Sequence, residues 1–474
     1  MTSTTLYKNP DALKAALKNV VSLSKEKLDV SNEQNFRKLA YALVYNSIFN
    51  SDKDIQELCR WLVRAGADAC GIHLASIHDL YMARGRGECS GFTVPAINIR
   101  GLTYDVAHTI FKSAMKGKVG PVLFEIARSE IGYTLQRPAE YTTAVVGAAL
   151  ASGYKGPVCM QGDHFQVNAK KYKASSDTEL GAIHSLIEEA ITGGFFNIDI
   201  DASTLVDLTK PNEEAQQEIN AALTHEYTMF IRDKEPNSIT ISIGGEIGEV
   251  GTKNSTVEDL QGYMSNYKKK LEKSGKNVPG ISKISVQTGT THGGVPLPDG
   301  TIAKVKVDFD TLEKLSKVSR EKYGMAGAVQ HGASTLPEDA FHIFADRETA
   351  EVHLATEFQN MIYDNAAFPA DLRQEIYAYL DKECADEKKE GQTQEQFIYK
   401  TRKKAFGPFK KQVWDLPADV KTQICSRLET KFDFLFKQLA VLNTDSLTKK
   451  FIKPVSVTVA APNTAGKVLG QAKK

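Results

Sequence analysis

The stretch that decides the fold consists of VCMQGDH (158–164), LGAIHSLIEEAITG (180–193) and FFNIDIDAS (195–203). The two outer runs are short and apolar, which is typical of strands that are buried on both faces. The middle run repeats apolar residues at helical spacing. The stretch therefore predicts one strand–helix–strand unit, which is the building unit of α/β folds with parallel sheets.

The same alternation continues in both directions along the chain. Six further strand-like runs are FTVPAIN (92–98), VLFEIA (122–127), ITISIGGEIG (239–248), ISKISVQTG (281–289), MAGAVQHG (325–332) and AEVHLATEF (350–358). Amphipathic stretches such as FDTLEKLSKVSREKYG (309–324) separate them. Eight strands alternating with helices predict an α/β fold of the (β/α)8 TIM-barrel type rather than an open sheet.

Helical patterns flank the predicted barrel on both sides. We expect an N-terminal helical extension over 1–75, a barrel domain over 76–365, and a C-terminal helical extension and tail over 366–474. Within the last segment, KTRKKAFGPFKKQVW (400–414) mixes basic and aromatic residues. Such a run either contacts a phosphate or an acidic partner, or forms a solvated or subunit-facing surface, and the second interpretation is favoured.

Composition narrows the class of protein. The 474 residues include 59 Lys+Arg and 58 Asp+Glu, for a net charge of +1, and 42% are hydrophobic. These values exclude a disordered or fibrous chain and give no electrostatic reason to expect a nucleic acid or a membrane as partner. The six cysteines lack CxxC spacing, which favours reduced thiols and a cytoplasmic location. We also expect a homo-oligomer, a dimer or larger, and an N-terminal extension that covers a surface or a subunit contact.

Histidines end or follow three of the predicted strands. His164 ends the third strand, His292 follows the sixth, and His331 ends the seventh. Functional groups of such barrels lie at the carboxyl ends of the strands. A single histidine there is more often structural, but three imidazoles at one barrel mouth are what a catalytic zinc site with an open position requires.

Carboxylates occur at the same ends. Asp163 directly precedes His164, and both reach the site only if the strand ends or kinks there, which Gly162 allows. Glu246 and Glu249 lie in GGEIGEVGTKNST at the end of the fifth strand.

Asp199 and Asp201 alternate in NIDID on the fourth strand and therefore share a face. They are either part of the site or salt-bridge partners within the barrel wall. In addition, THGG (291–294) and HGAS (331–334) bring uncrowded backbone N–H groups beside two of the histidines. Loops of this kind often bind phosphate in such barrels.

In this order and on these strands, the motifs resemble those of the class II, zinc-dependent ketose-bisphosphate (fructose-bisphosphate) aldolases. The resemblance runs from Ile77 to Ile362 and rests on SIHDLYMARGRGECSGFTVPAIN, QGDHF, GGEIGEVG, QTGTTHGG and VQHGAST. It implies an aldehyde-lyase that binds Zn²⁺. The metal would polarise the carbonyl of a ketose and stabilise the negative charge left by cleavage.

The resemblance also implies a role for each site residue. The metal residues are His164, His292 and His331, with Glu246 as an alternative or supporting group. The catalytic residues are Asp163, which takes the proton from the hydroxyl beside the cleaved bond, and Glu249, which exchanges a proton on the neighbouring carbon. The substrate- and phosphate-binding residues are Ser129, Gly293, Gly332, Ser334, His353 and Thr356.

Two departures from the family pattern concern the substrate. The family usually has a lysine a few residues after the second His-Gly, and THGGVPLPDG has none. The eighth strand usually contains N-x-D-T, whereas this chain has His353-Leu354-Ala355-Thr356. His353 therefore replaces the asparagine as a hydrogen-bonding group or contacts a different substituent of the substrate.

The sequence thus favours an aldolase of carbohydrate metabolism acting on a phosphorylated ketose. Fructose 1,6-bisphosphate, cleaved to dihydroxyacetone phosphate and glyceraldehyde 3-phosphate in glycolysis, is the expected substrate. One alternative is an aldolase for another ketose phosphate. Another is a non-catalytic barrel resembling the companion subunit of tagatose-bisphosphate aldolase. A metal-assisted hydrolase is disfavoured, because FTVPAIN lacks the H-x-H pair of many barrel hydrolases.

Overall fold

Eight parallel strands pair edge to edge and close into a barrel in a computed structural model that describes residues 5–24, 27–248, 253–290, 297 and 307–470. In chain order the strands are β1 (Val94–Asn98), β2 (Leu123–Ala127), β3 (Gly156–Gln166), β4 (Asn197–Asp201), β5 (Ser242–Glu246), β6 (Lys283–Val286), β7 (Ala328–Gln330) and β8 (Glu351–Leu354). Each strand pairs with the next in parallel, and β8 pairs with β1. The predicted (β/α)8 barrel is confirmed.

Helices surround the strands because each connection must return the chain to the same end of the barrel. Their apolar faces are buried against strands whose residues are almost all buried. The helices between β1 and the end of the barrel are Thr103–Gly117, Arg128–Thr134, Pro138–Ser152, Ala169–Ala174, Ser176–Gly193, Glu213–Gln216, Glu218–Lys234, Val257–Lys273, Phe309–Tyr323, Phe341–Asp346 and Thr356–Tyr363, with 3-10 turns at Ser203–Leu205 and Glu338–Ala340.

The segment before β1 is not wholly helical. It contains helices Pro10–Leu17, Glu33–Phe49, Lys53–Ala69 and His78–Gly85. It also contains an antiparallel pair, Val21–Ser24 with Lys27–Val30, and a strand, Ile72–Leu74, that extends the sheet beside the first half of β3. The sequence interpretation omitted these strands, because three or four residues are too few for a clear two-residue period.

The segment after the barrel is helical. It contains Ala370–Glu383, Gln394–Thr401, Lys410–Trp414, Ala418–Gln438, Asp445–Phe451 and Asn463–Leu469, with 3-10 turns at Ala385–Glu387 and Arg402–Phe406. The long helix Ala418–Gln438 packs on Thr103–Gly117. The Arg402–Phe406 turn packs on the helix after β2, and the ring of Phe406 contacts Gly101, where a Cβ atom would overlap it.

Two further findings concern the whole chain. All six cysteines are free thiols, and five of them are buried. No helix within the described residues is long and apolar enough to cross a membrane.

Candidate active site

A cavity of about 470 Å³ opens at the carboxyl end of the barrel. This is within the usual range for small-molecule sites. Most of the lining comes from strand ends and from the loops that follow them. The lining residues are Asn98, Arg100, Glu125, Ala127, Arg128, Ser129, Glu130, Gly132, Tyr133, Asp163, His164, Gln166, Asn168, Lys171, Glu246, His331, Gly332, Ser334, His353, Ala355, Thr356 and Lys403.

A bulge in β3 brings Asp163 and His164 to the same site. The register of β3 against β4 shifts between Gly162 and Phe165. His164 has φ +41°, a left-handed conformation that costs a residue with a side chain roughly 1–2 kcal/mol. The kink expected from the sequence therefore occurs one residue after Asp163. Gly162 serves a different purpose, because a Cβ there would lie 2.5 Å from the Phe165 ring.

Asp163, His164 and His331 form a buried group at the base of the cavity. Their candidate ligand atoms all lie within 4.8 Å of one another. Oδ1 of Asp163 lies 3.8 Å from Nε2 of His164 and 3.9 Å from Nδ1 of His331. The two imidazole rings are 4.0 Å apart between centroids. Nε2 of His331 contacts Oγ of Ser285 at 3.0 Å.

Two carboxylates contact Nδ1, the second imidazole nitrogen of His164. Its Nδ1 lies 2.8 Å from Oε2 of Glu246 and 3.1 Å from Oδ2 of Asp201. Asp201 also accepts hydrogen bonds from Gln166 and Ser203. Of the two β4 aspartates, Asp201 therefore belongs to the site, while Asp199 pairs with Lys283 inside the barrel.

His353 lies beside this group on β8. Its ring centroid is 4.0 Å from that of His331. Its Nδ1 lies 3.1 Å from Oδ1 of Asp163 and 2.9 Å from Oε2 of Glu125, and its Nε2 contacts Oε1 of Glu351 at 2.6 Å. The sequence analysis did not single out Glu125 or Glu351, which lie within otherwise apolar strands.

Four of the expected phosphate-binding residues, Ser129, Gly332, Ser334 and Thr356, line the same cavity. Gly332 has φ +67°, which a side chain at that position would disfavour. Ser334 and Thr356 are buried, and Ser129 is exposed at the start of the helix after β2. The four residues come from loops and helix starts that follow three different strands, and the barrel brings them together.

Four cations that the sequence analysis did not assign to the site also line the cavity, and two of them are Arg100 and Lys403. Arg100, after β1, pairs with Glu130 at 2.7 Å and donates to Gln359. Lys403, from the Arg402–Phe406 turn, lies 5.8 Å from the centroid of Tyr133 and has no carboxylate within 4.0 Å among the described residues. Burial and Arg100 lower the pKa of Lys403. The basic run at 400–414 therefore contributes at least one residue to the cavity.

Three predicted site residues, Glu249, His292 and Gly293, lie outside the described residues. Thr290 is the last described residue before His292. It donates through its Oγ1 to the backbone oxygen of His331 at 2.9 Å. The described chain thus reaches the site two positions before His292.

Burial and neighbouring charges shift the pKa values of several groups in the site. It raises the pKa of Glu246 to about 8, with Asp201 adding to the effect. It raises the pKa of Glu125 to about 8 as well, with Asp163 adding to the effect. Burial opposes protonation of His164, but Glu246 and Asp163 hold its pKa well above the usual value. These groups retain protons that a bound cation would displace.

The residues present fit a zinc ion. Two ligands of tetrahedral zinc are separated by about 3.4 Å, given Zn–N distances near 2.1 Å. The candidate ligand atoms of His164 and His331, two of the three expected histidine ligands, lie within 4.8 Å of each other. Imidazole and carboxylate are ligands that zinc prefers, and a histidine bonded to carboxylates through its other nitrogen is the usual supporting arrangement.

The chain matches the model of the family Fructose-bisphosphate aldolase class-II over residues 86–413, a range that includes the Arg402–Phe406 turn. The comparison with curated sequences gave no match.

Several solved structures match the chain at low identity. A Sinorhizobium meliloti protein described as a tagatose 6-phosphate kinase is 16% identical, with a TM-score of 0.50, covering 75% of this chain and 99% of that one. A Coccidioides immitis protein described as a fructose-1,6-bisphosphate aldolase is 16% identical (TM-score 0.44; 77% and 96% covered). The Campylobacter jejuni fructose-bisphosphate aldolase is 17% identical (TM-score 0.44; 76% and 93% covered).

Proposed function

Because the chain belongs to the class II fructose-bisphosphate aldolase family, we propose that it is a zinc-dependent aldolase that cleaves or forms a C–C bond in a phosphorylated ketose. Fructose 1,6-bisphosphate is the substrate we expect. The observation that carries the proposal is the buried group of Asp163, His164 and His331 at the base of a cavity lined by cations.

The metal ligands we propose are His164, His331 and His292. A zinc ion bound there would act as a Lewis acid on the ketose carbonyl, which is worth several kcal/mol in reactions of this kind. Glu246 and Asp201 orient His164 through its Nδ1, so we assign Glu246 a supporting role rather than direct coordination.

Asp163 is the proposed acid/base. Its carboxylate lies in the cavity beside both imidazoles, and it is positioned to take a proton from the substrate hydroxyl next to the cleaved bond. His353 supports this carboxylate at 3.1 Å and also faces the cavity, where it would bind a substrate oxygen. We assign Glu249 the proton exchange on the neighbouring carbon, as the family resemblance implies.

The anionic groups of the substrate would bind at two places. The backbone N–H groups of two loops, one containing Gly332 and the other Gly293, with Ser334 and Thr356, would hold one phosphate. Arg100, Lys403 and Ser129 would hold the other. Lys403 takes over the charge of the family lysine that THGGVPLPDG lacks, because it brings an ammonium without a carboxylate partner among the described residues to the same cavity.

The test is a cleavage assay on the purified full chain, with the bisphosphates of fructose, tagatose and sedoheptulose and with fructose 6-phosphate as a monophosphate control. We expect cleavage of a bisphosphate, zinc bound in stoichiometric amount, and loss of activity after chelation that added zinc reverses. Activity that persists after complete zinc removal would contradict the mechanism. A zinc-free chain that cleaves none of the sugars would instead indicate a non-catalytic barrel.

A further inference from the structure

A fully buried lysine lies beneath the cavity, inside the barrel. The Nζ of Lys283, on β6, lies 2.6 Å from Oε1 of Glu351, 2.8 Å from Oε1 of Gln161 and 3.0 Å from Oδ2 of Asp199. Its three protons therefore have three acceptors, which is the full donor capacity of an ammonium group. Lys283 does not line the cavity, so it has no direct contact with a substrate.

Glu351, on β8, links this lysine to the site above. Its Oε1 accepts from Lys283, from Nε2 of Gln161 at 2.7 Å and from Nε2 of His353 at 2.6 Å, and its Oε2 accepts from the hydroxyl of Tyr81. Burial opposes ionisation, but Lys283 and His353 lower the pKa of Glu351 to about 2. The carboxylate is thus charged and surrounded by donors on all sides.

The bond to Glu351 fixes the orientation of His353. Because an ionised carboxylate only accepts, Nε2 of His353 must carry a proton and donate. This leaves Nδ1 free for the other side of the ring, where it lies 3.1 Å from Oδ1 of Asp163 and 2.9 Å from Oε2 of Glu125. A continuous chain of contacts therefore runs from Lys283 through Glu351 and His353 to Asp163.

We propose that Lys283 is a positioning residue, which acts through Glu351 to hold His353 against Asp163. Buried ion pairs are weak sources of stability, since well-packed apolar residues of similar volume often do as well. What this one supplies is a single orientation of an imidazole that has four carboxylates, those of Glu125, Asp163, Asp199 and Glu351, within 4.0 Å. The effect on catalysis rests on the role of Asp163 in the proposed function, whereas the effect on the position of His353 does not.

The test compares Lys283→Met with Lys421→Met in the full-length protein. Lys421 is the matched control, because it is also buried, lies 3.7 Å from Asp105 and donates to Tyr41, but is outside the cavity. Glu351→Gln is the second variant, which keeps the side-chain shape if Lys283→Met does not fold. Each protein is measured for kcat, KM and zinc content, and its crystal structure gives the distance from His353 to Asp163.

We expect Lys283→Met and Glu351→Gln to lower kcat at least tenfold with KM changed less than threefold and zinc retained. The distance from Nδ1 of His353 to Oδ1 of Asp163 should exceed 3.5 Å, while Lys421→Met keeps both kcat and that distance. An unchanged His353, or an equal loss of kcat in Lys421→Met, would overturn the inference. If the wild-type chain cleaves no sugar phosphate, the proposed function fails alone, and the position of His353 still decides the inference.

Discussion

Nδ1 of His164 lies 2.8 Å from Oε2 of Glu246. With the contact to Asp201, it means that the two nitrogens of the imidazole have different neighbours. Nδ1 faces the carboxylates of β4 and β5, and Nε2 faces the side of Asp163. A histidine held in this way has a fixed ring orientation, which a metal ligand requires.

Glu246→Gln should therefore weaken zinc binding without abolishing it. Loss of a group that orients a metal-bound histidine typically lowers affinity about 10- to 100-fold. The measurement is a zinc competition titration with a chelator. Glu226→Gln is the control, because Glu226 pairs with His184 at 3.5 Å on the surface. Equal affinities of the wild type and Glu246→Gln would refute the supporting role.

His331→Ala should lose both the metal and the activity. A fall in kcat/KM of roughly thousandfold or more corresponds to about 4 kcal/mol of lost transition-state stabilisation, as expected when a Lewis acid is removed. His342→Ala serves as control, because His342 is exposed on the helix Phe341–Asp346. Elemental analysis and the cleavage assay together test the prediction, and full activity of His331→Ala would contradict it.

The barrel itself was predictable because the same sequence pattern, an apolar run followed by a helical stretch, recurs along the chain. Each of the eight apolar runs corresponds to one strand, from Val94–Asn98 to Glu351–Leu354, and periodicity needs no knowledge of distant contacts. The pair Val21–Ser24 and Lys27–Val30 was missed, because a single short hairpin offers no repetition.

Lys403→Met should raise KM for a bisphosphate roughly tenfold and leave kcat nearly unchanged. A charge-assisted hydrogen bond contributes about 1.5–3 kcal/mol, and a phosphate bound equally in ground and transition states affects KM alone. Lys404→Met is the control, because Lys404 pairs with Glu387 and does not line the cavity. If Lys403→Met and the wild type had the same KM, Lys403 would not contribute to phosphate binding.

The zinc-free protein should become less stable as the pH rises from about 4.3 to about 8. The folded-state pKa values of Glu125 and Glu246 are raised to about 8, whereas unfolded glutamate titrates near 4.3. The unfolded state releases these protons first, so the stability present below pH 4.3 is lost as the pH passes through the folded values. The raised pKa of His164 acts in the same direction.

Urea unfolding in the presence of a chelator at pH 5.5, 7 and 8.5 measures this effect. Zinc should weaken the dependence, because the bound cation replaces the protons. A stability that increases with pH over this range in the zinc-free protein would contradict the assignment of protonated carboxyl groups.

Gly162→Ala should destabilise the fold, since its Cβ would lie 2.5 Å from the ring of Phe165. Overpacking of this kind costs about 1–3 kcal/mol. Gly181→Ala is the matched control, because Gly181 is exposed in the helix Ser176–Gly193 and its Cβ would meet nothing within 4 Å. That change should stabilise by up to about 1 kcal/mol. Thermal unfolding of both variants, compared with the wild type, tests the difference in sign.

The site was only partly predictable, for a physical reason. The sequence places Asp163, His164 and His331 within two residues of a glycine near the ends of apolar runs, and this local signal marks the mouth of a barrel. The structure corrects the detail, since Asp163 and His164 lie at the bulge within β3 and His331 directly follows β7. Glu125 and Lys283 stand within apolar runs, where the sequence alone does not reveal their partners. Lys403 is recognisable as a cavity residue only once the packing of Phe406 on Gly101 is known. Packing between segments that are far apart in the chain leaves no periodic pattern in the sequence. Such residues are therefore identified only from the structure.

The position of the Arg402–Phe406 turn has a consequence for protein synthesis. The ribosome releases all eight strands before it releases Lys403, so a nascent chain with a closed barrel still lacks one wall of its cavity. A chain whose translation stops after β8 therefore contains the histidines of the strands but lacks this cation. The order of synthesis thus leaves the lining of the cavity incomplete until the C-terminal segment has docked.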